Sequence, residues 1–414
     1  MLAPERRTRG DIVAAAAIVV VVLIAAVAVW FASASRGTTS TTADTIAPSP
    51  AVATAVPTAV RESWRRGGVD ETGPVTAGGS VALAVGNSVL GLDPSTGEQR
   101  WSYSRDTQLC SIIGGWNTVL AVYRDARGCG QVTDLNGATG VREHQRSSDA
   151  DNPVTLSFGG TYVTSYGDTR LEVWRSDLVR TLEYGRVDAP VNPGSQPRSG
   201  CTISSAATTS SRMAVLEQCA GEEGPRLTAM NPAPKDNTEP DVYGSTVLSD
   251  VPTGDSGARI LAVSGSSIAT YLPGTSTSSP RVGVFDGSGN FVAAQTLPPQ
   301  AVPSESMVDR SAPVVDVGDA ATWWTGTSTV GLDQSTFDVR WTLPGTLGAG
   351  APMAGRLLVP VPNGIAVVDP ATGSVVRSIA VDRGDYSGPV SVSVTGNTLV
   401  EKRGSDVVAL SATG

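Results

Sequence analysis

One stretch, Asn87 to Ser104 (NSVLGLDPSTGEQRWSYS), limits the possible folds more than any other feature, because weaker copies of it recur toward the C-terminal end. Val89 to Asp93 reads as a short aliphatic strand. Asp93, Pro94 and Gly97 then supply a side-chain acceptor, a preset φ and a residue tolerant of positive φ. Gln99 to Tyr103 returns as the second strand of a hairpin and carries Trp101 on one face. Copies anchored at the position of Asp93 place Asn136, Arg175, Asn231, Asp286, Asp333, Asp369 and Ser411 there, roughly 45 residues apart on average. A period of that size with several short strands per unit is the signature of a propeller blade. Runs such as SVALAV, NTVLAVYR, SRMAVLEQ and RLLVPV lie upstream of the anchors and complete four-stranded meanders, a to d.

The last copy, DVVALSATG, stops at its turn. Val60 to Arg66 (VRESWRR) is a strand with a tryptophan that precedes any complete repeat. Joined, the two ends restore the unit, so residues 60–66 are expected to be strand d of the blade whose other strands occupy 389–411. The anchors then count eight blades over 60–414, in an all-β ring that leaves no frayed edge at its closure. Blades 1, 6 and 7 read as compact. In an up-down meander the b-c and d-a loops share one face, and the long stretches at 186–200, 219–226, 245–257, 273–280 and 298–312 all map to it. Loops carry function on a rigid scaffold, so this face is the expected site for a protein partner.

Ahead of the repeats, Ile12 to Ala32 run without a charge, long enough to cross a bilayer core of about 30 Å. Arg6, Arg7 and Arg9 before this span against Arg36 after it place residues 1–11 in the cytoplasm and the rest outside. The competing reading is a cleaved signal peptide, since Ala32, Ser33 and Ala34 form an A-x-A site, but the apolar run is longer than such regions usually are. Residues 33–59 are Thr-, Ser-, Pro- and Ala-rich and read as a disordered linker. It should enter the ring on the a-b/c-d face, so that the elaborated face points away from the membrane. The formal net charge is −9, and the acidic excess lies beyond residue 60. That argues against a nucleic-acid partner.

The four cysteines fall as Cys110 and Cys129 in blade 2 and Cys201 and Cys219 in blade 4. In each pair the first opens strand a and the second follows strand b, which runs back beside it, so two intrablade disulfides are expected in an oxidising compartment. The spacing is not that of a zinc site. His144, the one histidine, takes the tryptophan position of blade 2 and should pack between blades. A nucleophile-histidine system has no other histidine to draw on. Asp286, Ser288 and Asn290 alternate like a calcium loop but lack the closing acid, so a plain turn is expected. Of Trp323 and Trp324, which point in opposite directions, one should pack in the core and the other is available to stack a ligand. No catalytic, cofactor-binding or metal-binding residue is expected.

The segments GLDPSTGEQRW (Gly91 to Trp101) and GLDQSTFDVRW (Gly331 to Trp341), with VVDPATGSVVR (Val367 to Arg377) as a partial copy, resemble the tryptophan-docking repeat of the quinoprotein-like (PQQ-like) β-propellers. That eight-bladed family includes PQQ-dependent alcohol dehydrogenases and a non-catalytic outer-membrane assembly protein. The resemblance implies that Trp64, Trp101 and Trp341 dock adjacent blades. Its enzymes stack PQQ on a disulfide between adjacent cysteines, beside a bound calcium and a catalytic aspartate. No adjacent cysteine pair exists here, so none of the family's catalytic residues carries over. The expected function is that of a protein-binding or scaffold module of the bacterial cell envelope, with a small-molecule sensor as the alternative and a PQQ-dependent dehydrogenase behind both.

Overall fold

The computed structural model describes residues 8–33, 36–46, 48–253, 257–303 and 314–413, with the Ala32 side chain outside that set. Arg6, Arg7, Ala34 and most of 298–312 therefore lie outside the described residues. From residue 60 onward the described residues form an eight-bladed propeller in which every blade is an antiparallel four-stranded meander. Blade 1 runs Val75–Ala77, Ser80–Val85, Ser88–Leu92 and Gln99–Arg105. Blade 8 takes its first three strands from Val390–Thr395, Thr398–Arg403 and Asp406–Ala412. Its fourth is Val60–Arg66, paired from Val60↔Ala412 to Arg66↔Val407. The ring is thus closed by hydrogen bonds between the two ends of the propeller sequence.

The b and c strands explain why such short apolar runs are stable. Each is covered on both sides by a neighbouring blade, so SVALAV and RLLVPV carry no polar alternation. Eight apolar layers result, one between each pair of neighbouring blades, and no single central core forms.

Ahead of the ring, Arg9–Ala32 is a 24-residue helix, about 36 Å long at 1.5 Å per residue. A capping box between Thr8 and Asp11 starts it, and its apolar side chains are exposed all round. It is long and apolar enough to cross a membrane, and a signal sequence passes the same test.

The segment read as a free linker is partly structured. Thr38–Thr41 adds a fifth strand to blade 1, pairing Thr38↔Arg105 through Thr41↔Ser102. Its β-branched threonines suit a strand, and its backbone covers the unpaired outer edge of the blade. The chain then crosses the a-b/c-d face. The Ala43 N–H donates to Thr139 O at 2.9 Å, Pro50 lies against Gly79 and Gly396, and Ala53 and Val56 join the layer between blades 7 and 8. Because Thr38 pairs with the last residue of strand d, the chain first meets the ring at the b-c/d-a end of blade 1. The expected entry from the opposite face is therefore corrected, and the basis for an elaborated face turned away from the membrane is removed.

Candidate functional site

The three expected docking tryptophans occupy equivalent places. The indole N–H of Trp64 donates to Pro94 O at 2.9 Å, that of Trp101 to Gly137 O at 3.0 Å, and that of Trp341 to Pro370 O at 2.8 Å, each in the c-d turn of the next blade. The rings cover Gly97, Gly140 and Gly373, all near φ 70°, where a β-carbon would collide with the indole. Gly91 and Gly331 lie beneath Trp101 and Trp341 on the neighbouring strand and admit no side chain either. The turns are self-bonded: Asp93 Oδ1 accepts the N–H groups of Ser95 and Thr96 at 2.8 and 3.0 Å. Burial pushes the Asp93 carboxyl up, but these bonds and Arg100 outweigh it and hold it at about 2.

Elsewhere the slot is filled differently. Blade 5 offers only Ala293, and Phe337, standing in the turn of blade 6 at φ 61°, reaches the same apolar layer from the other side. In blade 7, Arg377 donates to the carbonyls of Val56 and Pro57, both at 2.8 Å, and so fastens the incoming chain where the ring closes. His144 does not pack between blades as expected: its side chain is 48% exposed. It lies opposite Asp134, which stands where blades 1 and 6 have glycine, with Asp134 Oδ2 3.2 Å from Nδ1.

Both disulfides form within their blades, with Cα separations of 6.1 Å for Cys110–Cys129 and 4.3 Å for Cys201–Cys219. Cys129 stands in strand c (Gly128–Asn136) rather than directly after strand b. Trp323 and Trp324 are both buried, and the Trp324 indole donates to Thr346 O at 3.2 Å, so neither presents a free ring to a ligand. Asp286 closes a plain turn by accepting from Ser288 N and Asn290 N at 2.8 and 3.0 Å.

The b-c/d-a face is most built up over blades 3 to 5. The d-a loop 186–201 exposes Asp188, Ala189, Pro190 and Val191. Gln196 anchors it from below, donating to Glu183 O and Thr238 O, and the Cys201–Cys219 bridge ties it to the b-c loop 219–225. Leu248 and Val251 of the next d-a loop are buried, and Asp250 pairs with Arg281. One long loop departs from this pattern. Residues 231–241 start from the a-b/c-d face and fold along the rim, where Glu183 N bonds Asn237 O at 2.9 Å, so the elaborated loops do not all share one face.

Beneath these loops lie buried ion networks that the sequence reading missed. Glu172 accepts from Arg146, Arg170, Ser148 and the Trp174 indole at 2.9 to 3.0 Å, and Arg170 also reaches Glu183. Burial pushes Glu172 up, but Arg146 and Arg170 overcome it and hold the carboxyl at about 2. Glu217, fully buried, accepts from Tyr184 at 2.8 Å and Thr228 at 2.7 Å, yet burial wins and raises it. In blade 8, Arg383 and Arg403 enclose Glu401. The available signal was a glutamate inside an otherwise apolar central strand, as in RLEVW, AVLEQ and LVEKR. Beside the Glu172 network, loop residues 187–191 wall a cleft of about 740 Å³ between the outer strands of blades 2 and 3.

No family model matches the chain, and no curated protein matches it. Solved structures do. BamB from Moraxella catarrhalis, a PQQ-like-repeat β-propeller, superposes with a TM-score of 0.51 at 11% identity, covering 85% of this chain and 99% of its own. Sqt1 from Saccharomyces cerevisiae gives 0.51 at 10% identity, covering 87% and 97%. Dihydro-heme d1 dehydrogenase NirN, solved with DHE, gives 0.50 at 15% identity, covering 81% and 69%. At these identities the likeness concerns the fold alone.

Proposed function

We propose that this protein is a membrane-anchored, extracytoplasmic member of the PQQ-like propeller group that binds a protein partner through the b-c/d-a loops of blades 3 to 5 and performs no chemistry itself. The observation that carries this reading is the asymmetry of that face. Blades 3 to 5 carry the d-a loops 186–201 and 248–258 and the b-c loops 219–225 and 273–280, braced by a disulfide and ion pairs, whereas the b-c turns of blades 1, 6 and 7 are only 86–87, 325–327 and 362–363. Rigid, pre-ordered loops lose little entropy on binding.

Two further features support the placement. Two disulfides fit an oxidising compartment, and the apolar helix fits a single-pass anchor with residues 1–11 in the cytoplasm. Only residues 33–37 separate the helix from Thr38, a reach of at most about 18 Å. The b-c/d-a end of blade 1 thus stays close to the bilayer, and the partner is a protein of the same membrane or its surface.

The test is crosslinking in living cells. Replacing 187–195 by a short Gly-Ser link should abolish capture of an envelope protein while the melting temperature of the ring holds; unchanged capture would refute the assignment. The cleft beside residues 187–191 favours a second reading, a small-molecule sensor, for which a metabolite would raise the melting temperature saturably.

A further inference from the structure

Blade 2 departs from blades 1 and 6 in four correlated positions. Blades 1 and 6 put glycine under tryptophan (Gly91 and Trp101, Gly331 and Trp341) and pair the turn aspartate with the bulge arginine (Asp93 and Arg100, Asp333 and Arg340). At the equivalent places blade 2 has Asp134 under His144, and Asn136 paired with Glu143, whose carboxylate accepts from the Asn136 side chain at 2.8 Å. The four positions therefore go from one carboxylate balanced by one guanidinium in blade 1 to two carboxylates beside an imidazole.

The backbone brings the three groups together. Leu135 pairs with Arg142 and Thr133 with Gln145, so Glu143 and His144, adjacent in sequence, both lie opposite Asp134 in the bulge. One ligand atom from each of Asp134, Glu143 and His144 lies within 4.8 Å of the others. Asp134 is 1% exposed, its Oδ2 faces His144 Nδ1 at 3.2 Å, and its Oδ1 has no hydrogen-bond partner. A buried carboxylate left with an unbonded oxygen is costly unless a cation meets it.

We propose that Asp134, Glu143 and His144 form a binding site for a divalent transition-metal ion of the zinc class on the outer strands of blade 2. An imidazole nitrogen with two carboxylate oxygens suits zinc, with metal-ligand distances of about 2.0 to 2.2 Å, better than it suits calcium or magnesium, which take oxygen alone. Glu143 and His144 are exposed, which gives the ion an entry path and leaves its remaining position to water or to a side chain from another protein.

The full chain, purified in detergent without a histidine tag and stripped with EDTA, is titrated with zinc chloride by calorimetry, and bound metal is counted by mass spectrometry. One zinc per chain is expected, lost in His144→Ala and in Asp134→Asn and kept in Asp188→Asn. The double variant Asp134→Gly/His144→Trp rebuilds the blade 1 pair, so it should fold with the wild-type circular dichroism spectrum and bind no zinc. Wild-type chain that takes up no more zinc than this double variant would overturn the proposal, as would undiminished binding in His144→Ala.

Discussion

Between blades 1 and 2 an indole lies over a turn glycine and makes one hydrogen bond. Between blades 2 and 3 a carboxylate receives two arginines, a hydroxyl and an indole N–H. The first contact recurs at the 8–1 and 6–7 boundaries; polar bracing of the second kind recurs at the 3–4 boundary through Glu217 and Tyr184. The two disulfides fall in blades 2 and 4, and the longest fully described loops of the b-c/d-a face are on blades 3 and 4. At the 2–3 and 3–4 boundaries, where the tryptophan lock is absent, the ring uses directional, charged contacts, and it is there that the surface is elaborated. Blade 8 shows that the two devices coexist, since Glu401 is enclosed by arginines within a blade that also docks Trp64.

The largest test of this contrast is a pair of truncations. Glu172→Ala leaves Arg146 and Arg170 buried without their carboxylate and should lower stability by about 3–5 kcal/mol. Trp101→Ala, which empties an apolar slot, should cost a similar 3–5 kcal/mol. Urea unfolding reads both, and a loss for Glu172→Ala within the range of a surface substitution would show that the polar arc is not held by its ion network.

Next in size is the bridge on the b-c/d-a face. Cys201→Ala/Cys219→Ala opens a loop with a sequence separation of 18 and should cost about 3 kcal/mol in the chain-entropy model. It should also raise proteolysis at 186–200. Equal proteolysis in the two proteins would mean that the loop is ordered without the bridge.

What was legible in the sequence divides along the same line. The tryptophan repeat is a short-range pattern, so Trp64, Trp101 and Trp341 and the split blade 8 can be read directly, the latter because VRESWRR completes ALSATG. The cysteine pairs are readable because each spans one hairpin. Ion networks are not: Arg146 and Glu172 meet across a blade boundary, and nothing in either local segment names its partner. Thr38–Thr41 was hidden because its pairing depends on an open edge 61 to 67 residues away, from Thr41↔Ser102 to Thr38↔Arg105, not on its own hydrophobicity. His144 was misplaced because Asp134, in the place of the glycine beneath Trp101 and Trp341, meets its ring from the neighbouring strand.

A smaller effect distinguishes the networks by pH. The folded Glu172 carboxyl sits at about 2, below the ordinary 4.5. Its stabilisation is therefore complete above about pH 4.5 and disappears as pH falls through 2. Glu217 is shifted upward, so its protonation on acidification relieves the fold rather than weakening it. Glu172→Gln should flatten the fall of the urea midpoint between pH 4.5 and 2, and Glu217→Gln should not.

The most direct measurement compares the two arcs on one face. A photoreactive amino acid is placed at Ala189, Val191 or Gly221 in the elaborated arc, and at Asn363 or Thr327 in the short b-c turns of the compact one, in the full chain in living cells. The account predicts a discrete protein adduct from the first three positions and none from the last two. Equal adducts from Asn363 and Thr327, or none from Ala189, Val191 and Gly221, would contradict it.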